Sequence, residues 1–100
     1  MKFEIIYSEA AKEDIRDLTN FIASTCKAPL TSKVYMKSVF KTINGLQRSA
    51  GAHPISTGKL SQRYGWNVRR INHKKMAIIY TIHDQTVLIN RIVSGALLFE

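Results

Sequence analysis

The spacing of apolar residues changes once along this chain, and that change constrains the fold most. Between Ala11 and Leu46, apolar side chains recur every three to four residues, the spacing of an amphipathic helix. From Val68 onwards they alternate with polar residues, the spacing of a β-strand. A chain of 100 residues has room for one small core, so its helices and strands must pack on each other. We therefore expect a single α+β domain over residues 1–100.

The N-terminal segment predicts a strand followed directly by a helix. Residues 2–7 alternate as a strand, with most of their apolar side chains on one face. Ser8 can accept a hydrogen bond from a backbone N–H and so cap a helix. We expect this first helix to run from residue 9 to about residue 25.

A second amphipathic helix follows Pro29, with Thr31 or Ser32 as its possible cap. The short connection between the two helices predicts an antiparallel hairpin. Three lysines with a spacing of four should share one face of the second helix. They are Lys33, Lys37 and Lys41.

The C-terminal half predicts a β-meander. Residues 50–66 contain Gly and Pro and read as irregular. Strands are expected over residues 68–72, 75–83 and 86–93, with a tight turn at residues 84–85. The predicted fold is an N-terminal strand, an antiparallel helical hairpin and a three-stranded antiparallel meander, with the hairpin packed on one face. One core should then form from Leu18, Ile22, Phe40, Ile43, Ile78, Tyr80 and Ile89.

Charge and composition narrow the class of partner and the compartment. Fifteen Lys and Arg stand against seven Asp and Glu, a net charge of +8, which favours RNA, DNA or an acidic protein as partner. The single cysteine, Cys26, fits a reducing cytoplasm. The acidic N-terminus does not resemble a signal peptide, and the most apolar stretch is too short to cross a membrane. No metal-ligand spacing or cofactor fingerprint occurs, so we expect neither metal nor cofactor, and no membrane partner.

Several short motifs occur in a fixed order along almost the whole chain. The first predicted helix is rich in Ala and contains Asp-Ile and Asp-Leu pairs. An Ile-Xaa2-Leu motif at the end of the second helix and a Pro-Xaa3-Gly loop follow it. A strand ending in Ile-Ile-Tyr and a final Val-Xaa-Ile-Xaa-Arg-Ile strand come next. The motifs occupy residues 10–18, 21–22, 43–46, 54–58, 78–80 and 87–92. In this order they resemble the RelE/ParE toxins of bacterial type II toxin–antitoxin systems, and the ParE-like branch is favoured.

The resemblance implies one of two activities. RelE-like members cut messenger RNA on the ribosome, ParE-like members poison DNA gyrase, and an antitoxin silences both. RelE-like nucleases commonly carry Arg on a central strand and His, Arg or Tyr near the C-terminus. Ala77, Ser94, Ala96 and Phe99 stand at those positions here. Such side chains neither clamp a phosphate nor transfer a proton near neutral pH, so no catalytic residue can be assigned.

Other basic residues remain candidates for contacting a target or RNA. Arg69 and Arg70 should point to opposite faces of a strand. His73 and His83 could transfer protons, although exposed turn residues are the favoured interpretation. Arg91 interrupts an apolar strand and is either functional or a charge that protects an edge strand from aggregation. The full candidate set is Arg69, Arg70, His73, Lys74, Lys75, His83 and Arg91.

Two apolar features complete the list of candidates. The tail residues Leu97, Leu98 and Phe99 are candidates for binding an antitoxin. Tyr64 and Trp66 could stack on a nucleic-acid base, but half-buried loop anchors are the favoured interpretation.

The leading hypothesis is a cytoplasmic toxin that binds a target protein such as DNA gyrase and is neutralised by a cognate antitoxin. One alternative is a ribosome-dependent messenger RNA endoribonuclease that needs no metal. Another is a degenerate toxin that binds its antitoxin and only co-regulates transcription. A homodimer and a toxin–antitoxin hetero-oligomer are both compatible with the sequence.

Overall fold

The structure of the protein, a computed structural model, describes residues 2–25, 27–56, 63 and 66–94. Strand β1 leads into two longer helices, α1 and α2, and a short helix, α3, before the strands β2, β3 and β4. In chain order these elements are β1 Glu4–Tyr7, α1 Glu9–Asn20, α2 Pro29–Asn44, α3 Leu46–Ser49, β2 Arg69–His73, β3 Met76–His83 and β4 Thr86–Ser94. The predicted α+β class and element order are confirmed.

The four strands form one sheet in the order β1-β4-β3-β2. Strands β2, β3 and β4 are the expected antiparallel meander, joined by tight turns at residues 74–75 and 84–85. Strand β1 pairs in parallel with β4, so that Ile5 lies beside Val87 and Tyr7 beside Ile89. The first and last of the described strands are therefore neighbours, and β4 lies inside the sheet.

Helix α1 begins where the sequence places it. The Ser8 hydroxyl accepts a hydrogen bond from the Ala11 amide at 3.0 Å and also donates to the Asn90 carbonyl at 2.8 Å. The predicted helix to about residue 25 is confirmed in extent, but its last five residues, Phe21–Thr25, form a π-helical turn. Such turns widen the backbone spiral and often occur at functional positions.

The predicted caps of the second helix are wrong. Helix α2 begins at Pro29, where the missing backbone N–H needs no partner, and Ala28 precedes it without a side-chain cap. Ser32 instead lies inside the helix and is buried. Its hydroxyl donates to the Thr19 carbonyl at 3.0 Å, which ties α2 to the end of α1. Ser32 therefore joins the two helices of the hairpin.

The core lies between the hairpin and one face of the sheet. Ile43, Ile78, Tyr80 and Ile89 are fully buried there, as predicted. Leu18 and Phe40 pack against this cluster and are half-buried. Ile22 was predicted to join it, but lies half-buried in the π-helical turn instead.

Tyr80 is the largest fully buried side chain, and it is polar at one end. Its hydroxyl donates to the Ala50 carbonyl at 2.7 Å, in a 3-10 turn directly after α3. Burial of the phenol raises the pKa of Tyr80 to about 12, although the positive charge of Arg69 opposes this. The hydrogen bond thus fixes the end of the helical region against the centre of the sheet.

Ile43→Ala should destabilise the protein by about 2–5 kcal/mol, because a fully buried position loses three carbon atoms and gains a cavity. Urea unfolding measures the free energy. Val34→Ala is the matched control on the same helix, since Val34 is 71% exposed, and it should change stability by less than about 0.5 kcal/mol. Equal effects of the two substitutions would contradict the core assignment.

The raised pKa of Tyr80 predicts a loss of stability at alkaline pH. The folded protein holds the phenol proton more tightly than the unfolded chain, so the contribution is complete below pH 10 and declines as the pH rises towards 12. The rise in the Tyr80 pKa from 10.0 to about 12 corresponds to about 2–3 kcal/mol of folding free energy. Urea unfolding between pH 8 and about 11.5 should show a steeper decline for the natural protein than for Tyr80→Phe. Parallel curves for the two proteins would show that Tyr80 titrates as it does in water.

Candidate binding surface

Arg69 and Arg70 lie on opposite faces of β2, as expected. Arg69 is opposite Tyr80 on the helix-covered face, and its guanidinium donates to the His53 carbonyl. Arg70 is opposite Ile79 on the other face and is half-buried. The two arginines therefore do not converge on one ligand.

Arg91 forms an ion pair with α1. Its Nε and Nη2 donate to the two carboxylate oxygens of Asp14 at 2.7 and 3.0 Å. The same carboxylate accepts the Ile92 amide at 2.9 Å, and the Asp14 side chain is 14% exposed. The interpretation of Arg91 as an edge-strand charge is wrong, because β4 is an inner strand and α1 covers its edge where the pairing with β1 ends at Ile89. Arg91 fastens α1 to the sheet, and a contact with a target stays a prediction.

His73 joins the turn between β2 and β3 to helix α2. Its Nε2 lies 3.0 Å from the Ser38 hydroxyl, and its Nδ1 lies 2.8 Å from the Thr42 hydroxyl. Ser38 donates its own proton to the Tyr35 carbonyl at 2.6 Å, so Nε2 must be the donor to Ser38. In a neutral ring, Thr42 then donates to Nδ1. The prediction of an exposed turn residue is wrong for His73, which is half-buried and bonded at both nitrogens.

Lys74 and Lys75 occupy the turn that His73 holds against α2. Lys74 has a positive φ of 55° and its Nζ lies 5.3 Å from the centre of the Tyr35 ring. Burial raises the pKa of Tyr35, and the face of its phenol ring attracts the lysine cation. The turn lysines thereby lie beside α2, which carries the exposed lysines Lys33, Lys37 and Lys41. Helix α2 therefore has positive charge both on its own exposed face and at the turn that packs beside Tyr35.

His83 lies at the opposite end of β3 from His73. His73 pairs with Met76 at the start of β3, whereas His83 ends the strand seven residues later, about 24 Å away at strand spacing. His83 is exposed, as predicted, and its Nε2 lies 2.9 Å from the Thr81 hydroxyl. The two histidines therefore cannot act on one reacting group.

The sheet face away from the helices has an apolar centre. Val68, Ala77, Ile79 and Val93 form a second buried cluster there, and Ala77 is completely buried. Ser94 is exposed at the end of β4. The predicted antitoxin-binding residues Leu97, Leu98 and Phe99 lie outside the described residues, as do Ala96 and Tyr64.

Trp66 projects into solvent, with 87% of its surface exposed. Its interpretation as a half-buried anchor is therefore wrong. The next residue, Asn67, has a positive φ of 56°, which turns the chain sharply just before β2.

Acidic and basic residues are unevenly distributed along the chain, a feature that the motifs do not reveal. No Asp or Glu occurs between Asp17 and Asp84, although eleven Lys and Arg do. Most of the acidic residues precede this span, in β1 and α1. The residues of the basic span are Lys27, Lys33, Lys37, Lys41, Arg48, Lys59, Arg63, Arg69, Arg70, Lys74 and Lys75.

The described part of the chain offers neither a metal site nor a membrane-spanning helix. No group of three His, Cys, Asp or Glu in that part of the chain could hold a metal ion. No helix of that part is long and apolar enough to cross a membrane.

Asp14→Asn should destabilise the protein by about 2–4 kcal/mol, because it leaves a half-buried guanidinium without its counter-ion. Glu9→Gln is the matched control on the same helix, since Glu9 pairs with Lys12 in solvent, and it should cost less than about 0.5 kcal/mol. A double-mutant cycle with Arg91→Gln measures the coupling between Asp14 and Arg91 by urea unfolding. A coupling near zero would show that the pair contributes nothing to the fold.

Comparison with known proteins supplies the family. The family described as the ParE toxin of type II toxin–antitoxin system, parDE, matches residues 5–98. A solved structure described as the chromosomal ParDE TA system from P. aeruginosa has a TM-score of 0.76 at 12% sequence identity, over 93% of this chain and 96% of that chain. At that identity the likeness shows a shared fold alone. A search of curated proteins finds no match. Since the family match spans nearly the whole chain, this protein belongs to the ParE toxin family of type II toxin–antitoxin systems.

Proposed function

We propose that this protein acts in the cytoplasm as a toxin that binds DNA gyrase, and that a cognate antitoxin neutralises it. Membership of the ParE family supports a toxin of a type II toxin–antitoxin system. The arrangement of the charged residues supports binding in preference to RNA cleavage. Arg69 and Arg70 lie on opposite faces of β2, and Arg91 pairs with Asp14.

The preference for target binding over RNA cleavage rests on the separation of the two histidines. Cleavage of RNA without a metal requires an acid and a base within hydrogen-bond reach of one phosphate. His73 and His83 lie at opposite ends of β3, and both nitrogens of His73 are already bonded to hydroxyls. Ala77, at the position where RelE-like nucleases commonly carry Arg, is completely buried and offers no charge. A binding toxin needs none of these groups to converge.

Two assays separate binding from cleavage. The purified toxin should inhibit negative supercoiling of a plasmid by gyrase. At micromolar excess it should leave messenger RNA on ribosomes uncut, because losing an acid or base typically slows such catalysis by about 10²–10⁴-fold. Primer extension maps any cuts.

His83→Ala is the diagnostic variant, since His83 is exposed and its replacement should leave the fold intact. Codon-phased cuts that disappear in this variant would overturn the binding mechanism and establish a ribosome-dependent nuclease. Full gyrase activity at saturating toxin would rule out gyrase as the target. Loss of growth inhibition on co-expression of the antitoxin tests neutralisation.

A further inference from the structure

Of the large apolar side chains that the structure describes, Trp66 is the most exposed, with 87% of its surface in water. Tryptophan is highly buried on average in folded proteins, because its ring carries a large apolar surface. The next residue, Asn67, is also exposed and has a positive φ of 56°, so the chain turns sharply beside the ring. The indole therefore lies in a turn where a ligand can reach it.

Positive charge flanks this turn on both sides along the chain. Arg63 is exposed and lies three residues before Trp66, whereas Arg69 and Arg70 lie three and four residues after it. Because an extended chain covers at most about 3.6 Å per residue, the Cα atoms of the three arginines lie within about 14 Å of the Trp66 Cα atom. Residues 18–83 contain no Asp or Glu, so no carboxylate of that long segment repels a polyanion.

We propose that Trp66 stacks on an unpaired base of a single-stranded nucleic acid, and that the arginines beside the turn attract its phosphates. We call Arg63, Trp66, Asn67, Arg69 and Arg70 the tryptophan turn. The inference goes beyond the proposed function, because its ligand is neither the target protein nor the antitoxin. Stacking requires no acid or base, so the tryptophan turn holds a strand without cutting it.

An isolated aromatic ring among polar neighbours fits a base better than it fits a protein. A stable protein interface usually buries about 800 Å² on each partner around an apolar centre. Arg63 and Asn67, the described residues that precede and follow Trp66, are polar and exposed, whereas such a centre is built from apolar side chains. A base offers one flat π-face to the indole, and the Asn67 amide can both donate to and accept from base edges.

A single strand is favoured over a duplex as the ligand. In a duplex the faces of the bases are covered by the neighbouring base pairs, whereas unpaired bases can turn outwards and stack on an aromatic side chain. Single-strand binding proteins combine such aromatic rings with positive charge that follows the phosphate backbone. Trp66 and the arginines of the tryptophan turn supply both parts.

Trp66 is the only tryptophan of the chain, so tryptophan fluorescence reports directly on the proposed contact. The probes are thymidine and uridine oligonucleotides about eight nucleotides long, titrated against the full chain. Each should quench the fluorescence, because DNA and RNA bases both present a π-face. Quenching by one of the two alone would support the stack and identify the sugar that the site accepts. An abasic strand of equal length carries the same phosphates and should leave the fluorescence unchanged.

Substitution of the ring tests its share of the affinity. Trp66→Ala should weaken binding of a labelled thymidine strand about 5–150-fold in fluorescence anisotropy, because one base loses its aromatic partner. Trp66→Phe should recover part of this loss, since a phenyl ring also stacks. Leu30→Ala is the matched control, because Leu30 is 76% exposed on α2, and it should stay within about twofold of the natural chain.

Salt separates the stack from the charges. Raising the salt concentration from about 50 to 200 mM should weaken binding to the natural chain and to Trp66→Ala by the same factor, because only the phosphate contacts release counter-ions. Thermal unfolding should be the same for both chains, since the ring lies in water. A weaker salt dependence in Trp66→Ala would show that the substitution disturbs the arginines, and would contradict the stack.

Each other outcome overturns the inference. Equal quenching by the abasic strand would show a contact with phosphates and not with a base. Equal affinity of Trp66→Ala and the natural chain would place the strand elsewhere on the protein. Quenching by poly-glutamate but by neither oligonucleotide would assign the tryptophan turn to an acidic protein. Since no measurement here uses gyrase or the antitoxin, the proposed function stands in every case.

Discussion

The attachment of α1 to β4 is the interaction on which the rest of the structure depends. Strand β1 pairs with β4 only as far as Ile89, and α1 then takes over the exposed edge of β4. The Ser8 hydroxyl binds the Asn90 carbonyl, and the Asp14 carboxylate binds the Ile92 amide and the Arg91 guanidinium. A charge at the edge of the core is tolerated because three hydrogen bonds compensate for its lost hydration. With α1 fixed in this way, α2 can pack on the remaining part of the same sheet face.

Polar side chains in the interior serve the same purpose at other junctions. Ser32 joins α2 to the end of α1, Tyr80 joins the sheet to the turn after α3, and His73 joins the β2–β3 turn to α2. Each of these hydrogen bonds connects elements that are far apart in sequence, so each fixes a relative position that apolar packing alone leaves loose. His73, which the sequence offered as a candidate for proton transfer, is therefore held by the fold.

The resulting surface has consequences for function. Charged residues that were candidates for chemistry are spread over both faces and both ends of the sheet, and further exposed lysines lie on α2 and in the β2–β3 turn. Positive charge on a protein surface attracts acidic partners and speeds their association.

The sequence by itself determined the elements, because periodicity, the Ser8 cap and the turn at residues 84–85 are local properties. It also determined most of the core, since Ile43, Ile78, Tyr80 and Ile89 recur at the period of their own helix or strand. Only the tertiary structure decided that β1 lies beside β4, that Arg91 meets Asp14 and that His73 meets Ser38 and Thr42. These contacts join residues more than thirty positions apart, and no local pattern encodes which distant partner a charge or an imidazole will find. For the same reason only the tertiary structure shows which side of α2 packs in the core and which side faces solvent.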